Sequence, residues 1–101
     1  MAIEQNIEKQ LVQAVRKHHG LCWKFTSPGT AGVPDRIIIL PQGRIGFVEL
    51  KAPGQTPRPL QIRRHNQLKH HGAQVFTCDN PNQIPHIIHA IQTAQLPTDS
   101  H

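Results

Sequence analysis

The stretch GVPDRIIILPQGRIGFVELK, residues 32–51, decides how this chain folds. In residues 36–40 four consecutive apolar residues follow Arg36, and residues 44–51 form a second run that ends with the acid Glu49 and the base Lys51. A three-residue turn with proline and glycine separates the two runs, so we predict an antiparallel hairpin. A strand with one solvent-exposed face alternates apolar and polar residues. The first run lacks this alternation, which indicates that it is covered on both faces.

The hairpin gathers three residues that could carry chemistry. It places the start of its first strand beside the end of its second, so Asp35 is expected next to Glu49. Glu49 and Lys51 are two residues apart and therefore share a face. Two adjoining carboxylates repel each other unless a cation lies between them, and carboxylate oxygens with a backbone carbonyl such as that of Leu50 suit Mg²⁺ or Mn²⁺. Taken singly, each side chain also fits a plain surface role, either an aspartate at a turn or a solvated ion pair.

The segments around the hairpin predict an α/β chain in the order αβββαβ plus a C-terminal helix, with a mixed central sheet flanked by helices. Leu21, Trp23 and Phe25 alternate with polar residues and are expected to face the core. Pro85 interrupts the last helix, so its first turn is irregular or it begins later. We predict one domain over residues 1–96 and a flexible tail at 97–101. The remaining helices and strands are predicted at residues 3–19, 21–26, 60–71, 74–78 and 81–95.

Charge and composition narrow the partners. A net charge of +5 with only six acidic residues favours a polyanion, and the small core of a 101-residue chain favours a homodimer. No apolar run is long enough to span a bilayer and no signal-peptide core is present, so we expect a cytoplasmic protein. Cys22 and Cys78 are expected to be buried thiols, and the spacing of the eight histidines disfavours structural zinc.

Two longer runs resemble one nuclease family. Residues 25–35, FTSPGTAGVPD, and residues 48–54, VELKAPG, are similar to the VRR-NUC (virus-type replication-repair nuclease) family of the PD-(D/E)xK superfamily. Residues 59–67 also resemble the helix that follows this motif in the family, and the likeness covers residues 3–95. It implies a restriction-endonuclease-like core of the stand-alone phage type, located in the bacterial host cytoplasm.

The resemblance also implies roles for individual residues. Asp35 and Glu49 resemble the metal-binding carboxylates, the Leu50 carbonyl a third ligand, and Lys51 the catalytic lysine. Gln61 resembles a glutamine that positions the water or the motif, and Glu8 an acid on the first helix that contacts the metal. For both, an ordinary role remains open, as a residue at a helix start or as a solvated helix residue. Several polar or basic residues could contact DNA, or could be plain surface residues: Lys24, Ser27, Thr30, Arg58, Arg63, Arg64 and Lys69.

The expected activity is hydrolysis of DNA phosphodiester bonds with Mg²⁺ or Mn²⁺ and no organic cofactor. The family suggests a structure-selective endonuclease on branched DNA, such as a Holliday junction or a flap, in which a homodimer presents two sites. Two alternatives stay open: a non-catalytic nucleic-acid-binding module of the same fold, and an RNA-directed nuclease.

Overall fold

The computed structural model describes residues 3–95, in which a four-stranded sheet carries helices on both faces. The predicted order of helices and strands and the α/β class are confirmed. In chain order they are α1 (Glu4–Lys17), β1 (Leu21–Lys24), β2 (Arg36–Leu40), β3 (Arg44–Leu50), α2 (Pro59–His70), β4 (Gln74–Cys78) and α3 (Ile84–Thr93).

The sheet is mixed, as predicted. Its strand order is β1-β2-β3-β4, in which the first three strands are antiparallel and β4 runs parallel to β3. A parallel neighbour requires a crossover connection, and α2 supplies it. The hairpin of β2 and β3 closes through a short 3-10 turn at Pro41–Gly43, where Gln42 and Gly43 adopt left-handed backbone angles. The register pairs Arg36 with Val48, so Asp35, one residue earlier, is set opposite Glu49.

The hydrophobic core lies on one face of the sheet, under α1 and α3. Both helices carry buried side chains at spacings of three and four residues, and these meet alternate side chains of β2 and β3. Gly46 in β3 allows the closest approach, because a Cβ built there would lie 2.5 Å from Cδ1 of Ile91. The buried side chains of this core are Ile7, Leu11, Val15, Ile38, Leu40, Val48, Leu50, Cys78, Ile84, Ile87, Ile88 and Ile91.

The opposite face is open over β1, β2 and part of β3. Trp23 is 58% exposed and Leu21 is 46% exposed, so the prediction that they face the core is wrong. The prediction that β2 is covered on both faces is also wrong, since Ile37 and Ile39 are only half-buried. The reason is that α1 and α3 pack on the other face, while α2 lies towards β4. We call the open surface the apolar sheet face; it consists of Leu21, Trp23, Ile37, Ile39, Ile45 and Phe47.

The ends of the helices and strands differ from the predicted bounds by a few residues. β1 ends at Lys24 rather than residue 26, although the N–H of Phe25 still donates to the carbonyl of Asp35. Residues 81–83 form a 3-10 turn capped by Asn80, and α3 begins after it, so Pro85 lies in the first turn, where proline is tolerated. The predicted tail at 97–101 lies outside the described residues. Among residues 3–95 no helix is long and apolar enough to cross a membrane.

Candidate active site

The two carboxylates meet where β2 begins and β3 ends. Asp35 lies just before β2, and its Oδ2 accepts a hydrogen bond of 2.8 Å from the backbone N–H of Leu50. Glu49, which precedes Leu50 in β3, carries a carboxylate and yet is only 1% exposed. Burial of a carboxylate is costly unless partners compensate it, so the surroundings of Glu49 determine what the site can do.

The two oxygens of the Glu49 carboxylate have different surroundings. Oε2 accepts a hydrogen bond of 2.9 Å from Nε2 of Gln61 and lies 3.3 Å from Nζ of Lys51. Oε1 is withdrawn from solvent and has no hydrogen-bond partner. The nearest basic atom to it is Nε2 of His65, at 3.7 Å, which is too long for a hydrogen bond. One oxygen is therefore held twice, and the other is unsatisfied.

These surroundings raise the pKa of Glu49 to about 7. The largest cause is burial, which disfavours the charged form, and the negative charge of Asp35 adds to it. The ammonium of Lys51 opposes both, through its charge and its hydrogen bond. Asp35 is thus close enough to Glu49 to change its ionisation, and a cation between them would relieve the same repulsion.

Helix α2 turns a polar face towards this site. Its buried residues are Gln61 and His65, one helical turn apart, while Leu60 and Ile62 are exposed. The Oε1 of Gln61 accepts from the N–H of Arg58 at the helix start, so the amide group is oriented at both ends. Gln61 therefore contacts both the start of the helix and the carboxylate of Glu49.

His65 is a further residue beside Glu49, and its sequence context alone does not mark it as part of a site. His65 is 5% exposed, and burial together with the positive charge of Lys69 lowers its pKa. The available signal was its position four residues after Gln61, which puts both side chains on one face of the helix. Hydrophobic periodicity could not reveal it, because α2 buries polar side chains here.

Glu8 has a different hydrogen-bond partner from Asp35 and Glu49. Its Oε2 accepts a hydrogen bond of 2.9 Å from Nε of Arg36, whose Nη1 also donates to the carbonyl of Cys22. The side chain of Glu8 is 26% exposed, and it borders a surface opening together with Ala52. In this structure Glu8 ties α1 to the sheet through Arg36.

The donor set fits a hard divalent cation held by oxygen atoms. Among residues 3–95 no group of three or more histidine, cysteine, aspartate or glutamate side chains is placed to hold a metal ion. Asp35 and Glu49 supply adjoining carboxylates, and the backbone of Leu50, the residue after Glu49, contacts Asp35 through its N–H. Oxygen donors with open positions suit Mg²⁺ or Mn²⁺, which retain waters and take substrate phosphate oxygens as ligands.

The candidate DNA-contacting residues fall into two groups. Arg64 is engaged within the protein, because its Nε donates to the carbonyl of Ala31 at 2.7 Å and its Nη1 to Oε1 of Gln67. It therefore anchors the loop before Asp35 onto α2. Ser27 is half-buried, and its carbonyl accepts from the N–H of Thr30 within that loop. The other candidates have exposed side chains: Lys24, Thr30, Arg58, Arg63 and Lys69.

The two cysteines are free thiols rather than a disulfide. Burial raises the pKa of Cys22 to about 11 and also raises that of Cys78. A thiol with a raised pKa is a poor nucleophile near neutral pH, so both behave as small core residues.

Comparison with known proteins gives two informative relatives. The chain is 53% identical over 77 residues to "Putative nuclease p44" of Acyrthosiphon pisum secondary endosymbiont phage 1, which covers 76% of this chain and 83% of the relative. A solved structure described as a VRR_NUC domain superposes with a TM-score of 0.80 at 32% identity, over 87% of this chain and 97% of that one. No protein-family model matches the chain.

Proposed function

The chain belongs to the VRR-NUC family of nucleases, and we propose that it is a metal-dependent endonuclease that hydrolyses phosphodiester bonds in DNA. The observation that carries this proposal is the buried Glu49 carboxylate set beside Asp35, with Nζ of Lys51 3.3 Å from its Oε2. A module that only binds DNA gains nothing from two carboxylates facing a polyanion. A nuclease uses them to hold the cation that the phosphate requires.

The residues divide the work of hydrolysis among them. Asp35, Glu49 and the carbonyl of Leu50 would hold Mg²⁺ or Mn²⁺, which supplies Lewis-acid activation of the water and the phosphate. Lys51 orients the attacking water, and the positive charge of its ammonium stabilises the pentacovalent phosphorane. The water oxygen forms a bond to phosphorus as the bond to the 3′ oxygen breaks. The products are then a 5′-phosphate and a 3′-hydroxyl.

The basic surface supports a duplex substrate. Arg58 and Arg63 on α2 and Lys24 at the end of β1 are exposed, and the chain carries a net charge of +5. Such side chains neutralise backbone phosphates without reading bases, so selectivity would come from DNA shape. We extend the proposal to branched DNA, such as a four-way junction or a flap, in the cytoplasm of a bacterial host.

A homodimer would present two sites to such a substrate, and we propose the apolar sheet face as its interface. Two rows of paired side chains, three in each row, form this surface without a charged residue. Two copies can therefore meet face to face without opposing like charges at the centre, although each is positively charged overall. Trp23, at 58% exposure, would be the most extensively buried aromatic residue of the interface.

Light scattering on an eluting size-exclusion peak tests the dimer. Wild type is expected at twice the monomer mass, and Trp23→Lys at the monomer mass. Ile62→Lys, which places the same charge at an exposed isoleucine of α2, is the matched control and should stay dimeric. Monomeric wild type at micromolar concentration, or a dimeric Trp23→Lys variant, would contradict this interface.

Cleavage assays on matched substrates test the activity. Linear, flapped and four-way DNA of shared sequence, with an RNA duplex beside them, are incubated with the metal-free protein plus Mg²⁺ or Mn²⁺. We expect cleavage only with added cation, and a loss of at least about 100-fold in Asp35→Asn and Glu49→Gln. Glu4→Gln removes the same charge at an exposed position and should cleave as wild type does.

Three results would contradict parts of the proposal. Equal cleavage by wild type, Asp35→Asn and Glu49→Gln would eliminate the active site. Faster cleavage of RNA than of every DNA would favour the RNA-directed nuclease. Tight binding without cleavage in either cation would favour the binding module.

A further inference from the structure

The unsatisfied atoms next to the active site form a pair. Oε1 of Glu49 and Nε2 of His65 are both withdrawn from solvent, and neither has a hydrogen-bond partner among the described residues. They face each other at 3.7 Å. A buried polar atom without a hydrogen-bond partner is destabilising, so two such atoms that face each other point to a function for the contact.

We infer that His65 is a positioning residue, whose Nε2–H donates to Oε1 of Glu49 and fixes that carboxylate for its cation. This inference rests on the proposed metal-dependent nuclease and names a further residue of the same site. An approach of less than 1 Å converts the present separation into an ordinary hydrogen bond of about 2.9 Å.

The two residues of α2 then act on different oxygens. Gln61 already donates to Oε2 over 2.9 Å, and its own carbonyl oxygen is held by the N–H of Arg58. Because both ends of the Gln61 amide are hydrogen-bonded, Gln61 fixes the position of Oε2 of Glu49. The carboxylate can still rotate about that oxygen. A second donor, His65, lies four residues later on the same buried face of the helix, and its hydrogen bond to Oε1 would prevent this rotation.

The placement of polar residues on α2 supports this role. In an ordinary amphipathic helix the buried positions are apolar, yet the two buried residues of α2 are Gln61 and His65. Leu60 and Ile62, which could have filled a core, are exposed on the same helix. The helix is thus oriented to bring two donors to one carboxylate. Residues that orient a metal ligand in this way typically contribute 10- to 100-fold in metal affinity or activity.

Two substitutions at His65 distinguish a hydrogen bond to Glu49 from a role in packing alone. His65→Phe keeps a planar ring but has no donor, whereas His65→Gln restores an N–H at a similar reach. Leu68→Ala, a packing change elsewhere on α2, is the control for loss of helix stability. Each variant is assayed for Mn²⁺ affinity by calorimetry, for kcat and KM on the best DNA substrate, and for melting temperature.

We expect His65→Phe to weaken Mn²⁺ binding and to lower kcat by about 10- to 100-fold with KM nearly unchanged. His65→Gln should recover a measurable part of both losses. Leu68→Ala should lower the melting temperature but leave Mn²⁺ affinity at the wild-type value.

Wild-type Mn²⁺ affinity in His65→Phe would overturn the inference, and so would a His65→Gln variant as impaired as His65→Phe. Failure of the proposed function itself looks different. In that case Asp35→Asn retains activity, or wild type binds no Mn²⁺, whatever residue occupies position 65.

Discussion

The backbone N–H of Leu50 donates a 2.8 Å hydrogen bond to Oδ2 of Asp35, and this contact joins the start of β2 to the end of β3. The link comes from the side chain of Asp35, which lies just before the paired residues of β2. The same contact holds the Asp35 carboxylate beside Glu49, whose pKa it raises. Asp35 thus stabilises the hairpin through its hydrogen bond, and its negative charge repels that of Glu49.

Substitutions at Asp35 should separate these two effects. Asp35→Asn keeps an oxygen to accept from Leu50 but removes the charge, so the metal-free protein should gain about 1 kcal/mol in free energy of unfolding. Asp35→Ala also leaves the Leu50 N–H without an acceptor and should be about 1–3 kcal/mol less stable than Asp35→Asn. Urea unfolding in EDTA at pH 8 measures both. Equal stability of the two variants would show that the hydrogen bond contributes nothing.

The raised pKa of Glu49 predicts how stability depends on pH in the absence of metal. Its folded pKa is about 7 against an ordinary value of 4.5, so the folded state binds the proton more tightly. Protonation of Glu49 therefore favours the folded state. This contribution to the free energy of unfolding is complete below pH 4.5 and is lost as the pH rises through 7. Since each pKa unit corresponds to about 1.4 kcal/mol, the loss amounts to about 3 kcal/mol at most.

Comparison of wild type with Glu49→Gln isolates this contribution, because the two proteins share every other ionisable group. In EDTA, the unfolding free energy of wild type relative to Glu49→Gln should fall between pH 4.5 and 7.5. Millimolar Mn²⁺ should reduce the fall in wild type only. A difference that stays constant with pH in EDTA would contradict the raised pKa.

The hairpin and the site on it could be predicted because local signals specify them. The turn at Pro41–Gly43 fixes the register, the register sets Asp35 opposite Glu49, and a two-residue spacing keeps Glu49 and Lys51 on one face. Each step needs only sequence distance and strand geometry.

The covered face of the sheet could not be predicted, because β2 and β3 carry apolar side chains on both faces. Cys22 and Trp23 both fit a core position, and only the side on which α1 packs decides between them. His65 was missed for a related reason. Burial is inferred from apolar periodicity, and α2 buries polar residues because its partner is the carboxylate of Glu49.

Gly32 should be intolerant of a side chain, since it joins the loop before Asp35 to α2. Its φ of +87° is left-handed, and a Cβ there would lie 3.0 Å from Cγ of Leu60 and 3.1 Å from Cγ of Arg64. We expect Gly32→Ala to cost about 1–3 kcal/mol and to lower kcat, because the loop leads directly to Asp35. Gly29→Ala, which has open space around it, is the control in thermal unfolding and cleavage assays. Comparable losses in the two variants would contradict this explanation.

Two neighbouring arginines of α2 should behave differently in DNA binding. The side chain of Arg63 is exposed and makes no hydrogen bond or ion pair with any of residues 3–95, whereas the side chain of Arg64 donates to the carbonyl of Ala31. Because a phosphate contact releases counterions, Arg63→Ala should reduce the slope of log affinity against log salt by about 1 with an unchanged melting temperature. Arg64→Ala should instead lose about 1 kcal/mol of stability as the loop loses its anchor.

Fluorescence anisotropy with a labelled four-way DNA measures the slopes between 50 and 200 mM KCl, on an Asp35→Asn background that prevents cleavage. The background charge change is common to both variants, so the difference between the arginines remains interpretable. A reduced salt slope in Arg64→Ala with wild-type stability would place Arg64 on the DNA. A wild-type slope in Arg63→Ala would remove Arg63 from the DNA-binding surface and leave Arg58 and Lys24 as the basic residues to test.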